Sequence, residues 1–275
     1  MTPVLAHDLV TAPEAAPDRW MYVLHGVYGA GRNWSSVARR FARERPGWGA
    51  VLVDLRLHGD SSGFEPPHTL ARCAADVAAL ERRLELPADA VLGHSFGGKV
   101  ALLHAQAAAA PPSSVWVVDS TPASRAPDGS AWQMLEVLRR HPGPFTDRAE
   151  GIAAVESGGF TRPVAQWMST NLVDDPHGDG LAWRIQVDDM EALLRDFFAT
   201  DAWPTVERPP DGSEIHVVKA RESNVLDDEA CERILSAGRA TGGRVHLHHV
   251  DGGHWVNADD PEGLQRLLLR HLDGS

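Results

Sequence analysis

Three residues far apart in this chain could together turn a hydroxyl into a nucleophile. They are Ser95, His254 and a carboxylate. A serine hydroxyl attacks a carbonyl only when an imidazole takes its proton, and the imidazole works only when a carboxylate holds it in one tautomer. Ser95 stands in Gly93-His94-Ser95-Phe96-Gly97, a G-x-S-x-G pattern between an apolar run and a stretch with helical spacing. A sharp strand-to-helix turn at that point lifts the serine clear of the backbone, beside the positive end of the helix. Only tiny side chains fit two positions before and after it, which accounts for Gly93 and Gly97.

The base must come from a loop at the carboxyl edge of a sheet. His254 fits, because it follows the run Arg244 to Val250 through Asp251-Gly252-Gly253 and precedes Trp255 and a final helix. Two positions compete for the acid. Asp119 ends the run Val115 to Asp119, where a strand end would carry it to the site and where a buried carboxylate needs a reason. Glu222 lies after the next strand and is the rival; its neighbours Asp227 and Asp228 read as charges of a helix's first turn. Asp119 is preferred, since a strand end holds a side chain more firmly than a loop.

An acyl-transfer site also needs donors for the developing oxyanion. His25-Gly26-Val27-Tyr28-Gly29 follows the run Trp20 to Leu24, and the amides of Val27 and Phe96 are the expected pair. Pocket residues are expected among His25, Tyr28, His94, Trp167, Trp183 and Trp255. His246, His248 and His249 lie within a strand, two on one face and one on the other, with no carboxylate or cysteine at ligand spacing, so no metal site is expected.

The elements that must position these groups alternate. Short apolar runs at Trp20 to Leu24, Ala50 to Asp54, Asp89 to Gly93, Val115 to Asp119, Ile215 to Lys219 and Arg244 to Val250 read as buried parallel strands. Helical spacing predicts helices over Asn33 to Arg45, Thr69 to Leu86, Phe96 to Ala110, Asp227 to Arg239 and Pro261 to Leu272. From Ser120 to Pro210 the alternation stops, in an interval of short helical stretches that holds Trp132, Trp167, Trp183 and Trp203. The expected organisation is therefore a core over residues 1–120 and 211–275, with a helical lid inserted over 121–210. The lid tryptophans could fill a small core, line an apolar pocket, or both.

Composition narrows the class. Across 275 residues, 38 acidic against 26 basic side chains give a net charge of −12, which argues against nucleic acid as a partner. Two distant cysteines, Cys73 and Cys231, fit neither a disulfide framework nor a zinc site. The first twenty residues lack an apolar signal core and no apolar run reaches membrane-spanning length, so a soluble, cytoplasmic protein is expected. The two lysines, Lys99 and Lys219, amid abundant arginine read as compositional bias. Oligomeric state leaves no mark in the sequence.

From Trp20 to Leu272 the chain resembles the α/β-hydrolase superfamily. More finely, it resembles the ABHD11/YbfF-type esterases. The resemblance rests on His25 to Gly29 with Asn33 and Trp34, Asp54 to Ser61, Gly93 to Lys99, Val118 to Pro122, and Gly253-His254-Trp255, while Asn171-Leu172 and Trp183-Arg184 are similar to that group's lid. It implies an α/β-hydrolase fold, a mostly parallel central sheet flanked by helices with a small helical lid. The activity it implies is that of a cofactor-free serine hydrolase acting on a small-molecule ester or thioester, with Ser95 as nucleophile and His254 as base. The superfamily's usual acid position aligns nearest Ser223, which cannot orient a histidine electrostatically; some members carry the acid one strand earlier, at Asp119 here. The stretch Asp54 to Ser61 is expected to be a structural loop beside the pocket. A lyase using the same Ser/His pair, and a non-catalytic receptor for a small ligand, are the competing readings.

Overall fold

The computed structural model describes residues 3–272 apart from 177. Its chain order is β1 (His7–Val10), β2 (Arg19–Leu24), α1 (Ser35–Glu44), β3 (Trp48–Val53), α2 (Leu70–Leu84), β4 (Ala90–His94), α3 (Phe96–Ala107) and β5 (Ser114–Val118). An insert follows, with α4 (Gly129–Arg140), α5 (Arg148–Ser157), α6 (Arg162–Met168), β6 (Leu172–Asp174), β7 (Leu181–Trp183), α7 (Val187–Ala199) and α8 (Trp203–Glu207). The chain then returns through β8 (Glu214–Ala220), α9 (Asp228–Ala240), β9 (Val245–Val250), α10 (Val256–Asp259) and α11 (Pro261–His271).

Seven strands form one sheet in the order β1-β3-β2-β4-β5-β8-β9, parallel throughout except for β1, which runs antiparallel to β3. This is an α/β-hydrolase fold. The inner strands are apolar on both faces because helices cover both: every residue of β3, β4 and β5 is buried. One face packs Val51, Val91, Val115 and Val217 of the sheet against helices including α3 through Val100. The other packs Leu52 and Trp116 against Trp34, Phe41 of α1 and Leu264 of α11.

All six expected strands and all five expected helices are present, with ends shifted by a few residues. Thr69 caps α2 by accepting from the Arg72 amide, Asp227 caps α9 by accepting from the Ala230 amide, and Pro261 opens α11. The sequence reading missed β1, an edge strand of four residues with only Val10 buried. It also missed the β6/β7 hairpin, whose three-residue strands are too short to show a period.

The insert is stitched to the core. Lys99 is buried in α3, and its ammonium donates to the carbonyl oxygens of Ala123 and Phe197 at 2.8 Å and of Thr200 at 2.9 Å. Those three carbonyls bracket the insert, so a lysine attributed to composition holds both of its ends against α3. Burial pushes the Lys99 amine down to about 8. Arg184 reaches Asp60 at 2.8 Å, and Asn171 donates to the Tyr28 carbonyl at 2.9 Å. Among the described residues, no helix is long and apolar enough to cross a membrane.

Candidate active site

The carboxyl edge of the sheet collects the candidate residues from separate strands. Ser95 follows β4 directly and adopts φ 52° and ψ −116°, a conformation that costs a non-glycine residue about 1–3 kcal/mol and persists only where surrounding contacts enforce it. Its amide donates to the Val118 carbonyl at 2.9 Å, which ties the turn to the end of β5. The neighbouring glycines are required: a Cβ on Gly93 would lie 2.0 Å from the Gly97 carbonyl oxygen, and one on Gly97 would lie 2.4 Å from that of Leu24. Within the buried run Val91 to Val100, only Ser95 keeps partial exposure.

Asp119 comes one residue after β5, at φ 44°, and is fully buried. A carboxylate there must be compensated, and three donors do so. The Ala220 amide reaches Oδ1 at 3.1 Å, while Ser223 Oγ and His254 Nδ1 each reach Oδ2 at 2.6 Å. The donation from Nδ1 leaves Nε2 of His254 as the ring's proton acceptor. Glu222 is exposed, whereas Asp119 is buried and hydrogen-bonded to the imidazole, so of the two competing carboxylates Asp119 is the one paired with His254.

Ser223 is the residue sequence reasoning undervalued. It cannot supply charge, yet its hydroxyl donates to the same oxygen that receives His254. Its alignment with the superfamily's usual acid position was the available signal. His94 is a second such case. Buried, it donates from Nε2 to the His254 carbonyl at 2.8 Å, and its ring lies 4.8 Å from that of His254. Burial, with neighbouring His254 as a smaller cause, pushes His94 down to about 3, so the ring is a neutral strut.

Of the six expected pocket residues, His94, Trp167 and Trp255 come together beside His254, and the others lie elsewhere. His25 is buried and bridges two loops, donating from Nδ1 to the Gly26 carbonyl at 2.7 Å and accepting the Leu55 amide on Nε2 at 3.0 Å. Burial holds it at about 4. Tyr28, at φ 62°, donates its hydroxyl to the Ala131 carbonyl in α4. Trp183 is buried against Phe145 and donates to the His141 carbonyl, so it belongs to the insert's own core. Trp167 and Trp255 remain half-buried and meet edge to face at 4.5 Å, with Trp255 packed on His94 and His254. Through Trp255, Trp167 links the insert to the surroundings of the imidazole.

Val27 is half-buried in the loop after β2. Phe96 opens α3, so its amide is one of the helix's first N–H groups, which have no intrahelical acceptor. The Asp54 to Ser61 stretch is rigid. Asp54 accepts the Gly31 and Asp60 amides at 2.7 and 2.8 Å, Ser61 donates to the Asp54 carbonyl at 2.6 Å, and Arg56 holds Asp76 through two bonds at 2.7 and 3.1 Å.

Known proteins resemble this chain along most of its length. A model described as "Alpha/beta hydrolase family" matches residues 21–266. The sn-1-specific diacylglycerol lipase ABHD11 of Mus musculus is 26% identical over 279 residues, covering 98% of this chain and 85% of its own. Lipase LipV of Mycobacterium tuberculosis is 29% identical over 255 residues, covering 90% and 91%. A solved marine microorganism esterase superposes with a TM-score of 0.81 at 19% identity, covering 98% of this chain and 99% of its own. Relatives named as lipases and ABHD11 enzymes support a hydrolase of the ABHD11 type, and the chain belongs to the alpha/beta hydrolase family.

Proposed function

We propose that the protein is a serine hydrolase that cleaves carboxylic ester or thioester bonds of small to medium apolar acyl substrates through an acyl-enzyme. His254 Nε2 takes the proton of Ser95 as its hydroxyl attacks the acyl carbon. The amides of Val27 and Phe96 receive the oxyanion, assisted by the positive end of α3. The tetrahedral intermediate collapses and His254 passes the proton to the leaving alcohol or thiol. Water, deprotonated by the same imidazole, then releases the acid and regenerates Ser95. Asp119 stabilises the imidazolium formed in each half of the reaction, and the helical insert over 121–210 acts as a lid whose Trp167 borders the acyl site.

The observation that carries this reading is the buried Asp119 held 2.6 Å from His254 beside the strained turn at Ser95. A buried carboxylate with three donors, an imidazole with a free Nε2 and a serine at a positive φ have no shared structural purpose, but they are the parts an acyl transfer needs. Relatives whose names specify lipases favour an apolar acyl portion. Hydrolysis of p-nitrophenyl esters from acetate to palmitate by the wild type and Ser95→Ala tests the reading. Turnover by the wild type should fall by about 10⁶-fold in Ser95→Ala, as nucleophile removal does in triad enzymes. Absence of turnover on every ester, or turnover that survives in Ser95→Ala, overturns it.

A further inference from the structure

At the opposite, amino-terminal end of β8 and β9, four imidazoles and one carboxylate converge. The parallel register pairs His216 with His246 across the two strands. His248 follows on the same face of β9, and His271 closes over them from the end of α11. The rings form a stack built on Trp116, with His216 at 4.2 Å and 9° from the indole, and His246 at 4.6 Å and 10° from His216. Stacking alone would explain a row of flat side chains. It does not explain Glu214, whose Oε2 lies 3.2 Å from His246 Nε2 and 3.6 Å from His216 Nε2.

We propose that Glu214, His216 and His246 form a binding site for a divalent transition-metal ion, separate from the Ser95 site and at the other end of the strands. The three ligand atoms lie within 4.8 Å of one another. Their two carboxylate-to-nitrogen separations, 3.2 and 3.6 Å, are close to the edges of about 3.3–3.6 Å of a tetrahedron with bonds of about 2.0–2.2 Å. His246 Nε2 is buried and makes no hydrogen bond, despite its proximity to the carboxylate. A nitrogen and a carboxylate oxygen this close but not hydrogen-bonded to each other are placed as two ligands of one cation would be.

His216 is also equipped as a ligand. Its Nδ1 is 3.0 Å from His248 Nε2, and a proton donated along that line leaves the Nε2 lone pair directed at Glu214. Metal-bound imidazoles make this outer hydrogen bond, which fixes the ring and its tautomer. Glu214 is half-exposed, which provides an entry path and leaves a fourth position for water. Two imidazoles and a carboxylate select zinc, cobalt, nickel or copper over the oxygen-preferring magnesium and calcium.

The test uses the full chain carrying no histidine tag, stripped with a chelator and titrated with Zn²⁺ by calorimetry and with Co²⁺ by visible absorption. One ion per chain is expected, with the strong visible bands of four-coordinate cobalt. Glu214→Gln and His246→Ala should each weaken Zn²⁺ binding by more than about tenfold, since even outer partners of a ligand cause that much loss. Both side chains are partly exposed, and circular dichroism of the metal-free variants establishes that they fold. An absence of stoichiometric binding overturns the site. So does binding that survives both substitutions and is lost in His271→Ala, which would assign the ion to the adjoining His216, His248 and His271 set instead.

Discussion

The two ends of strands β8 and β9 hold the same residue types in opposite circumstances. At the carboxyl end, Asp119 is fully buried and its two oxygens are committed to the Ala220 amide, the Ser223 hydroxyl and His254. At the amino end, Glu214 is half-exposed and lies 3.2 and 3.6 Å from two imidazole nitrogens with no hydrogen bond to either among the described residues. The first carboxylate is fixed before any ligand arrives, as a group that must stabilise a transient charge should be. The second is open to solvent on one side and lies beside two imidazole nitrogens, as the proposed capture of a cation requires. The supporting elements differ in the same sense. Ser95, Asp119 and His254 all lie just beyond strand ends, on turns that the following elements anchor, whereas His216, His246 and His248 are ladder residues whose positions the sheet register dictates. An imidazole's role here follows from what pairs with it and from where on the strand it sits.

Substituting the acids at the carboxyl end gives the largest contrast. Asp119→Asn should lower kcat on an ester by about 10⁴-fold, the loss seen when a triad carboxylate is neutralised and the imidazole is left in the wrong tautomer. Glu222→Gln should stay within about twofold of wild type, as an exposed side chain without partners does. Steady-state kinetics on one p-nitrophenyl ester decides it, and equal losses in the two variants would break the distinction between a committed and a free carboxylate. Ser223→Ala sharpens it further. Losing one hydrogen bond to a charged group removes about 1.5–3 kcal/mol, so kcat should fall by about 10- to 100-fold with KM unchanged. Recovery in Ser223→Thr would identify the hydroxyl as the cause, and a rise in KM or a loss of thermal stability alone would reduce Ser223 to a packing residue.

The sequence made the carboxyl end legible and the amino end obscure for one physical reason. A strand-to-helix turn at Ser95 imposes small neighbours within five residues, and Asp251-Gly252-Gly253 before His254 is an equally local sign. Long β-branched strands and capped helices are local too, so β2 to β5, β8, β9 and the helices between them were readable. Glu214 and His246 are 32 residues apart and meet only because β8 and β9 pair in parallel with His216 opposite His246, a register no local pattern encodes. The donation from Ser223 to Asp119, the grip of Lys99 on both ends of the insert and the β6/β7 hairpin were hidden in the same way. Each depends on how distant segments come to rest. The separation of the expected pocket residues has that origin as well: Trp183 turns into the insert's core because Phe145 and the His141 carbonyl lie there, which nothing near Trp183 in the chain announces.

The smallest effect expected concerns stability, and it separates the rigid end from ordinary surface. Burial pushes His25 down to about 4 and both His58 and His94 to about 3, against about 6.5 in an unfolded chain. Below pH 6.5 the unfolded chain therefore binds protons that the folded one refuses. Unfolding takes up protons in that window, so stability rises with pH there and is progressively lost as pH falls from about 6.5 toward 4. His58 offers the cleanest variant. Its Nδ1 donates to the Arg56 carbonyl at 2.9 Å, but its buried Nε2 has no partner, so His58→Leu gives up one hydrogen bond and relieves an unpaired polar atom. Urea midpoints at pH 7 and pH 5 should then differ less in His58→Leu than in wild type, by at most about 1.4 kcal/mol per pH unit for one proton. An unchanged slope would mean that His58 takes up its proton in the folded protein as readily as in the unfolded chain, and that the carboxyl end is less tightly closed to water than its hydrogen bonds imply.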